Sequence, residues 1–595
     1  MNRAKNKTEE LSTRHYLIAA AISLALSFAL FGNGIKGDFV YDDTWVIERN
    51  PTIQDASAVF RQFILPYHYL QPETGLYRPL TAVSFTFNSL LGKSPASYHI
   101  LNILLHALNV FLVFLFVWRL TRKKTIAILS AVLFMTLPIH VESVTSIVGR
   151  AELLSFALSM LTLLFFQGKR YWLSSLCFLL AMLSKESAFA LVPLLAWWIW
   201  IYERTTARAT VTRLLYFVPA GLIYVGLRAI ALREYFLSND ASLMYNPLKF
   251  TDALTRFLTA SKILMLYLWK TIVPIRLAAD YSYHQISLDR GVSLLGFVGI
   301  LIILGSLAII VHKKYRTTFV GFSIALGFFS FLIISNLIFP IGTIMAERTW
   351  YLPSLGISML GAAGFERLMR WRWKTLWWVV VGCVAIIYGG RSIQRNAVWL
   401  NSETFLRTMV ADSPRSLHAK NNLGNHLIKS GRWEEGKRLL MESYASFPDH
   451  APLLDALGIV AEHERRYEDA ERFYIRALQV RPHYATSFSN LGRMYFQLQR
   501  YDLAAQLYWG EFQYHARPDF MLIYAMSMSK LGRFDDAIST VTRYYGEHPQ
   551  DEKLQFALGY AYYKKGDKIK AQEYFKNSKN PAISDEDFIK SIEKF

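Results

Sequence analysis

The sequence predicts an all-α chain: a polytopic bundle of membrane-spanning helices followed by a solenoid of stacked helix pairs. Three observations predict it. Apolar runs of about 20 residues, the length a helix needs to cross a bilayer's hydrocarbon core, recur from residue 15 to about residue 390 and then stop. Short basic clusters separate alternate runs. Beyond residue 414 the sequence repeats itself at a fixed interval.

At 595 residues and 53% hydrophobic, the chain is too long and too apolar for one ordinary soluble domain. The first apolar run, residues 15–31, follows Arg3, Lys5, Lys7 and Arg14 and lacks a small-x-small cleavage site. It is expected to be an uncleaved anchor running outward from a cytoplasmic N-terminus. A first outer loop, about 32–97, comes next. The second span, residues 100–118, returns to "RLTRKK", and the third leaves again to about Pro138. Further spans are expected at 151–167, 171–183, 188–202, 214–232, 292–311, 319–339, 352–365 and 376–390, about eleven in all. "GKR", "ERTTARATVTR", "KKYR" and "ERLMRWRWK" complete the basic hinges. Lys and Arg mark cytoplasmic loops, so the formal charge of +20 reads as a topology signal and not as a nucleic-acid footprint. The two cysteines, Cys177 and Cys383, both fall in predicted spans and make neither a disulfide framework nor a zinc site.

One apolar stretch, residues 254–275, carries Arg256, Lys262 and Lys270. Lys262, Leu266 and Lys270 share a helical face, which predicts an amphipathic helix lying in the outer interface or re-entering it. A linker is expected at 395–414 and a repeat domain at 415–595, after a membrane domain of residues 1–394. In the tail, Leu-Gly recurs at Gly424, Gly458 and Gly492, and Pro414, Pro448 and Pro482 keep the same step of 34 residues. That period, with alternating small and large residues, is the tetratricopeptide signature. About five repeats are present, and stacks of this kind form concave surfaces that hold extended chains.

Charged and polar residues in or against hydrocarbon are costly and usually have a role; here they gather on the outer side. "GDFVYDDTWVIERNP" places Asp42 and Asp43 just beyond the first span. Either they cap a solvated turn, or one takes a proton from an acceptor hydroxyl while its neighbour holds the geometry. The two can face one cleft on a loop; on a regular helix they would diverge. His99, Asn102, His106 and Asn109 step along one face of the second span, either as interhelical hydrogen-bonding groups or, for His99 at the outer end, as part of a site. Outer turns add Arg78, His140, Glu142, Arg150, Glu152, Lys185, Glu186, Glu347 and Arg348. Each alone reads as a salt-bridge residue. Together they make a collection of acids and of cations suited to gripping a phosphate.

The motifs "DFVYDD", "LYRPLTAVSF", "YHILNILLHALNV", "LPIHVESVTSIVGRAELL", "LSKES" and "AERTWYLPSLG", followed by the repeats, resemble the transmembrane and tetratricopeptide-repeat-containing protein O-mannosyltransferases of the C-type glycosyltransferase (GT-C) superfamily. The likeness runs in order through nearly the whole chain, although the family's "HPIH" reads "LPIH" here, with Leu137 in place of the first His. The resemblance implies an inverting transferase that moves mannose or another hexose from a polyprenyl-phosphate donor to a hydroxyl on the extracytoplasmic side. For a prokaryotic member, which the compact loops suggest, that side is the periplasm and the membrane is the inner one. It implies Asp42 as base and Asp43 as its orienting neighbour or substitute. Arg348 first, then Arg78, Arg150 and Lys185, would hold the donor phosphate, with His99, Asn102, His140, Glu142 and Glu347 in support. It implies no required cofactor or metal, with divalent-ion dependence left open. The repeats favour a polypeptide acceptor; a lipid or cell-envelope glycan acceptor and a non-catalytic membrane-anchored scaffold stand as alternatives.

Overall fold

The computed structural model describes residues 11–577, apart from 56, 58, 70, 239–242, 371–372, 483, 513–517 and 547–550. The chain is helical throughout, with no strand among the described residues, and it divides into two units, Met1–Ala419 and Lys420–Phe595.

In the first unit every apolar run contains helix, from Thr13–Phe31 to Lys374–Asn396. Fewer of these helices reach spanning length than the eleven runs suggest. Among the described residues six are long and apolar enough, or seven if the bent pair Lys124–Thr136 and Pro138–Thr145 counts as one. Tyr171–Ser184, Glu186–Tyr202 and Phe319–Ile334 are apolar but shorter. The bend of 55° has a local cause. The residue before a proline is driven out of the α region, and Leu137 sits at φ −59°, ψ 116°, so the helix stops there. The chain then turns through Pro138–His140 and Val141–Thr145 before the next long helix, Arg150–Gln167.

The polar face of Pro95–Thr121 is turned inward. His106 Nδ1 lies 2.7 Å from the Tyr351 hydroxyl, and Asn109 donates to the Leu153 carbonyl at 3.1 Å. At these two positions the interhelical hydrogen-bonding reading is the one the contacts support; such bonds are worth about 0.6–2 kcal/mol each within a bilayer.

Residues 254–275 depart from expectation. The helix Ala253–Ile272 buries Lys262 and Tyr267 but not Arg256 or Lys270, with Lys262 ion-paired to Asp289 and Tyr267 stacked on Trp350 at 4.5 Å. Leu254, Trp269 and Ile272 face outward. Lys262 therefore lies inside the protein and not on a headgroup-facing stripe. The expected linker 395–414 is also structured. It holds the helix Ser402–Asp412 and falls within the first unit.

The second unit continues the helix pairs, from Trp433–Ser446 to Lys568–Asn577. Its period has a steric origin. A Cβ on Gly458 would stand 2.5 Å from the Tyr474 ring, and one on Gly492 would stand 2.3 Å from the Tyr508 ring. Each glycine admits the large residue of its partner helix. Gly458→Val should destabilise the repeats by about 1–3 kcal/mol through overpacking, measured as a lower unfolding midpoint of the full-length protein in detergent.

Candidate functional site: an acidic loop facing paired cations

Beyond Phe31 the chain makes a short 3₁₀ turn, Gly32–Lys36, and runs extended to Val40. Tyr41 then adopts φ 60°, and a helical turn over residues 42–48 begins. Successive side chains on a helical turn are about 100° apart, so the two acids diverge; they do not share a cleft. Asp43 points inward and is 1% exposed. Its Oδ1 accepts the Val148 N–H at 2.9 Å and its Oδ2 the Val40 N–H at 3.2 Å. Burial raises its pKa from 3.8 to about 7, against the lowering effect of those bonds. Val148 lies in the turn Ile147–Gly149, where a Cβ on Gly149 would stand 2.3 Å from the Ser143 carbonyl oxygen. Asp43 thus ties the acidic loop to the turn after the broken helix.

Asp42 is half-buried and makes no hydrogen bond or ion pair among the described residues. Its charge acts on Tyr41, Tyr67, His68 and Arg348, which places those groups around it.

The four candidate cations differ in availability. Arg348 Nη1 meets Glu142 Oε1 at 2.6 Å, and the backbone N–H of Arg348 donates to Glu142 Oε2 at 2.9 Å. Glu142 is 4% exposed, yet 32% of the Arg348 side chain remains open. Burial opposes the charge of Arg348, but Glu142 and then Asp42 more than offset this and hold its pKa above the usual range. Arg78 grips both oxygens of Glu186, at 3.0 and 3.3 Å, and lies over the Tyr67 ring. Lys185 is buried in an ion pair with Glu152. Arg150 is sealed, at 0% exposure. It donates to Asn102 Oδ1 (2.9 Å), Asn88 Oδ1 (2.8 Å) and the carbonyls of Tyr98 (3.0 Å) and Ser84 (3.3 Å). It is a strut and leaves no face for a phosphate.

The supporting residues are also built in. Asn102 donates to the carbonyls of Val144, Ser146 and Ile147, fixing the turn that receives Asp43. His99 is buried beside Gly37, where a Cβ would stand 3.2 Å from its Nε2. His140 meets Ser354 at 2.8 Å in the bundle interior. Glu347 accepts from Ala278 N–H at 2.7 Å and from the Tyr281 hydroxyl, and burial raises its pKa to about 7.

Two residues escape a reading of the sequence. His68 stacks on Tyr67 and lies near enough to Asp42, Arg78, Glu186 and Arg348 for each to act on it, while burial lowers its pKa. Its only signal in sequence is an aromatic setting, "PYHYL". Asp280, in "LAADYSY", lies beyond the helix Ala253–Ile272 with no periodic pattern around it. Among the described residues no three His, Cys, Asp or Glu side chains are grouped to hold a metal ion.

Burial keeps the proton on Asp43 to about pH 7 in the folded chain, against 3.8 for an ordinary aspartate. Its contribution to stability is therefore full below about pH 4 and is lost as pH rises through about 7. Asp43→Asn should flatten that part of the pH dependence and, by leaving one backbone amide without its acceptor, cost about 1–3 kcal/mol. Unfolding midpoints of the detergent-solubilised protein across this range test it; an unchanged slope would contradict the burial of Asp43.

Residues 456–508 and 525–578 match the family model of the tetratricopeptide repeat. Curated relatives include protein O-mannosyl-transferase TMTC3 of Mus musculus, 26% identical over 504 residues, covering 76% of this chain and 54% of that protein. Tmtc3 of Drosophila melanogaster is 25% identical over 536 residues, covering 76% of this chain and 57% of the relative. TMTC1 of Homo sapiens is 27% identical over 500 residues, with 74% and 56% covered. The chain spans a little over half the length of these relatives. Among solved structures, YrrB, titled a TPR protein with an unusual peptide-binding site, is 16% identical and covers 32% of this chain and 98% of its own, at a TM-score of 0.26 that carries no argument. Over about three quarters of its length, then, this membrane-helix and repeat chain is similar to the TMTC-type protein O-mannosyl-transferases.

Proposed function

We propose that the first unit is a membrane glycosyltransferase that moves mannose or another hexose from a polyprenyl-phosphate carrier to a Ser or Thr hydroxyl of an extracytoplasmic polypeptide held by the repeats. One observation carries the reading. Of the buried and half-buried acids in these loops, Asp43, Glu142, Glu152, Glu186 and Glu347 are each committed to a partner, whereas Asp42 has none among the described residues and lies near enough to Arg348 to act on its charge. The names of the relatives support the type of transfer, and the basic hinges support the outer-face placement.

In this reading Asp42 accepts the proton of the acceptor hydroxyl as its oxygen attacks the anomeric carbon. Attack comes from the face opposite the phosphate, so the configuration inverts as the bond from the anomeric carbon to the phosphate oxygen breaks. The lipid phosphate departs as an anion and needs positive charge more than it needs a proton. Arg348 supplies that charge from its open third, and Arg78 is next in line. Glu142 and Glu186 hold both guanidiniums in place beforehand, so little reorganisation accompanies the reaction. The carrier's tail stays in the bilayer, which is why the site sits at the membrane's edge.

Asp42→Asn should lower kcat by at least about 100-fold with an unchanged unfolding midpoint, since no bond to Asp42 is lost. Transfer from a polyprenyl-phosphate mannose to a Ser/Thr-rich peptide measures it, and full activity would remove Asp42 as base. Arg348→Lys keeps a charge beside Glu142 but loses the planar fork. It should raise the donor KM roughly tenfold, the worth of about one charge-assisted hydrogen bond, and leave the acceptor KM unchanged.

A further inference from the structure

The segment between the last apolar helix, Lys374–Asn396, and Ala419 closes over the acidic loop. The Asp38 N–H donates to the Leu400 carbonyl at 3.0 Å. A Cβ on Gly37 would stand 3.0 Å from the Trp399 carbonyl oxygen, so any side chain there would crowd this approach. The Trp399 ring packs on Phe405 (4.5 Å), and Phe405 packs on Tyr41 (5.4 Å). Arg395 pairs with Asp412 at 2.6 Å, and the Ser413 hydroxyl donates to the Asp280 carbonyl.

His418 stands between two of these parts. Its Nδ1 is 3.2 Å from Asp280 Oδ1 and its Nε2 is 3.3 Å from the Tyr41 hydroxyl, with Tyr245 edge-on at 4.8 Å. Asp280 Oδ2 also accepts from the hydroxyls of Ser416 and Ser282. Burial pushes the Asp280 pKa up, but His418 and the two serines more than offset this and keep it below the usual carboxylate range. The Asp280 carboxylate on Nδ1 holds the imidazole with Nε2 turned to the Tyr41 hydroxyl. Tyr41 is held protonated, chiefly by burial and then by the charge of Asp42. The chain runs Tyr41 to His418 to Asp280. It holds by its hydroxyl a tyrosine whose backbone sits at φ 60°, a conformation costing about 1–3 kcal/mol outside glycine and kept only where surroundings over-determine it.

We propose that Tyr41, His418 and Asp280 are positioning residues for Asp42. Their hydrogen-bonded chain fixes the left-handed turn that separates Asp42 from Asp43 and presents Asp42 to Arg348, so the segment 397–419 belongs to the transferase machinery. The kinetic consequence rests on the reading of Asp42 as base; the structural consequence does not. None of the three residues touches the reacting atoms.

The test uses the full chain in detergent, with undecaprenyl-phosphate mannose and a Ser/Thr-rich peptide, and compares Tyr41→Phe and His418→Asn with the parent. Tyr41→Phe removes only a hydroxyl, and His418→Asn retains a donor for Asp280 but does not reach Tyr41. Both should lower kcat roughly tenfold or more while each KM stays within about twofold, since misplacing a catalytic group by about 1 Å costs on that scale. Amide hydrogen exchange over residues 38–48 should accelerate in the same variants. Unchanged kcat, or equal losses in kcat and both KM values, overturns the proposal. If the parent itself transfers no sugar, the base reading fails and exchange alone decides: faster exchange in 38–48 upholds the positioning chain, and unchanged exchange overturns it.

Discussion

Burying one carboxylate against backbone amides dictates where its neighbour goes, and the acidic-loop end of the bundle is arranged around that constraint. Asp43 joins two segments far apart in sequence, residues 40 and 148, by accepting an N–H from each. An amide left without an acceptor in so dry a place is expensive, so the loop has little freedom to slide. With the turn anchored at Asp43 and twisted at Tyr41, Asp42 must emerge on the opposite side, towards His68 and Arg348. An acidic pair in sequence thus becomes one tether and one open carboxylate.

The same logic sorts the cations. A guanidinium taken from water needs its donors satisfied, and the molecule does this in two ways. Arg150 is surrounded by neutral oxygens and closed off, a polar strut between the loop helix Pro79–Leu91, the long helix Pro95–Thr121 and its own. Arg348 and Arg78 are each held by one carboxylate on one side, with a remaining face open. Removing Glu142 or Glu186 would free a charge but lose its aim. This makes the paired acids as important to an anion site as the arginines themselves.

Proline and glycine provide the hinges on which these placements turn. Pro138 ends a helix that would otherwise run straight, producing the bent segment from which His140, Glu142 and the Asp43-binding turn all arise. Gly149 lets backbone approach backbone where a methyl group would collide, and at Gly37 a methyl group would be crowded. Pro138 and Gly149 act within their own turn, whereas Gly37 meets partners from distant segments, Trp399 and His99.

What the sequence determined by itself was whatever depends on local period. Helices follow from apolar runs, and stacked helix pairs from a 34-residue repeat. These signals lie within a few turns of chain, where hydrophobic spacing and side-chain size act directly. The acidic loop and its arginines were legible as a costly collection, yet not their division of labour. Whether Arg150 or Arg348 is open, whether Lys262 faces headgroups or Asp289, and whether residues 395–414 link or clamp were decided by the tertiary structure alone. Each depends on which distant oxygen or ring desolvates the group, and desolvation has no period in a sequence. His68 and His418 are invisible for the same reason: their partners, Asp42 and Asp280 among them, come from segments that meet only when the bundle closes.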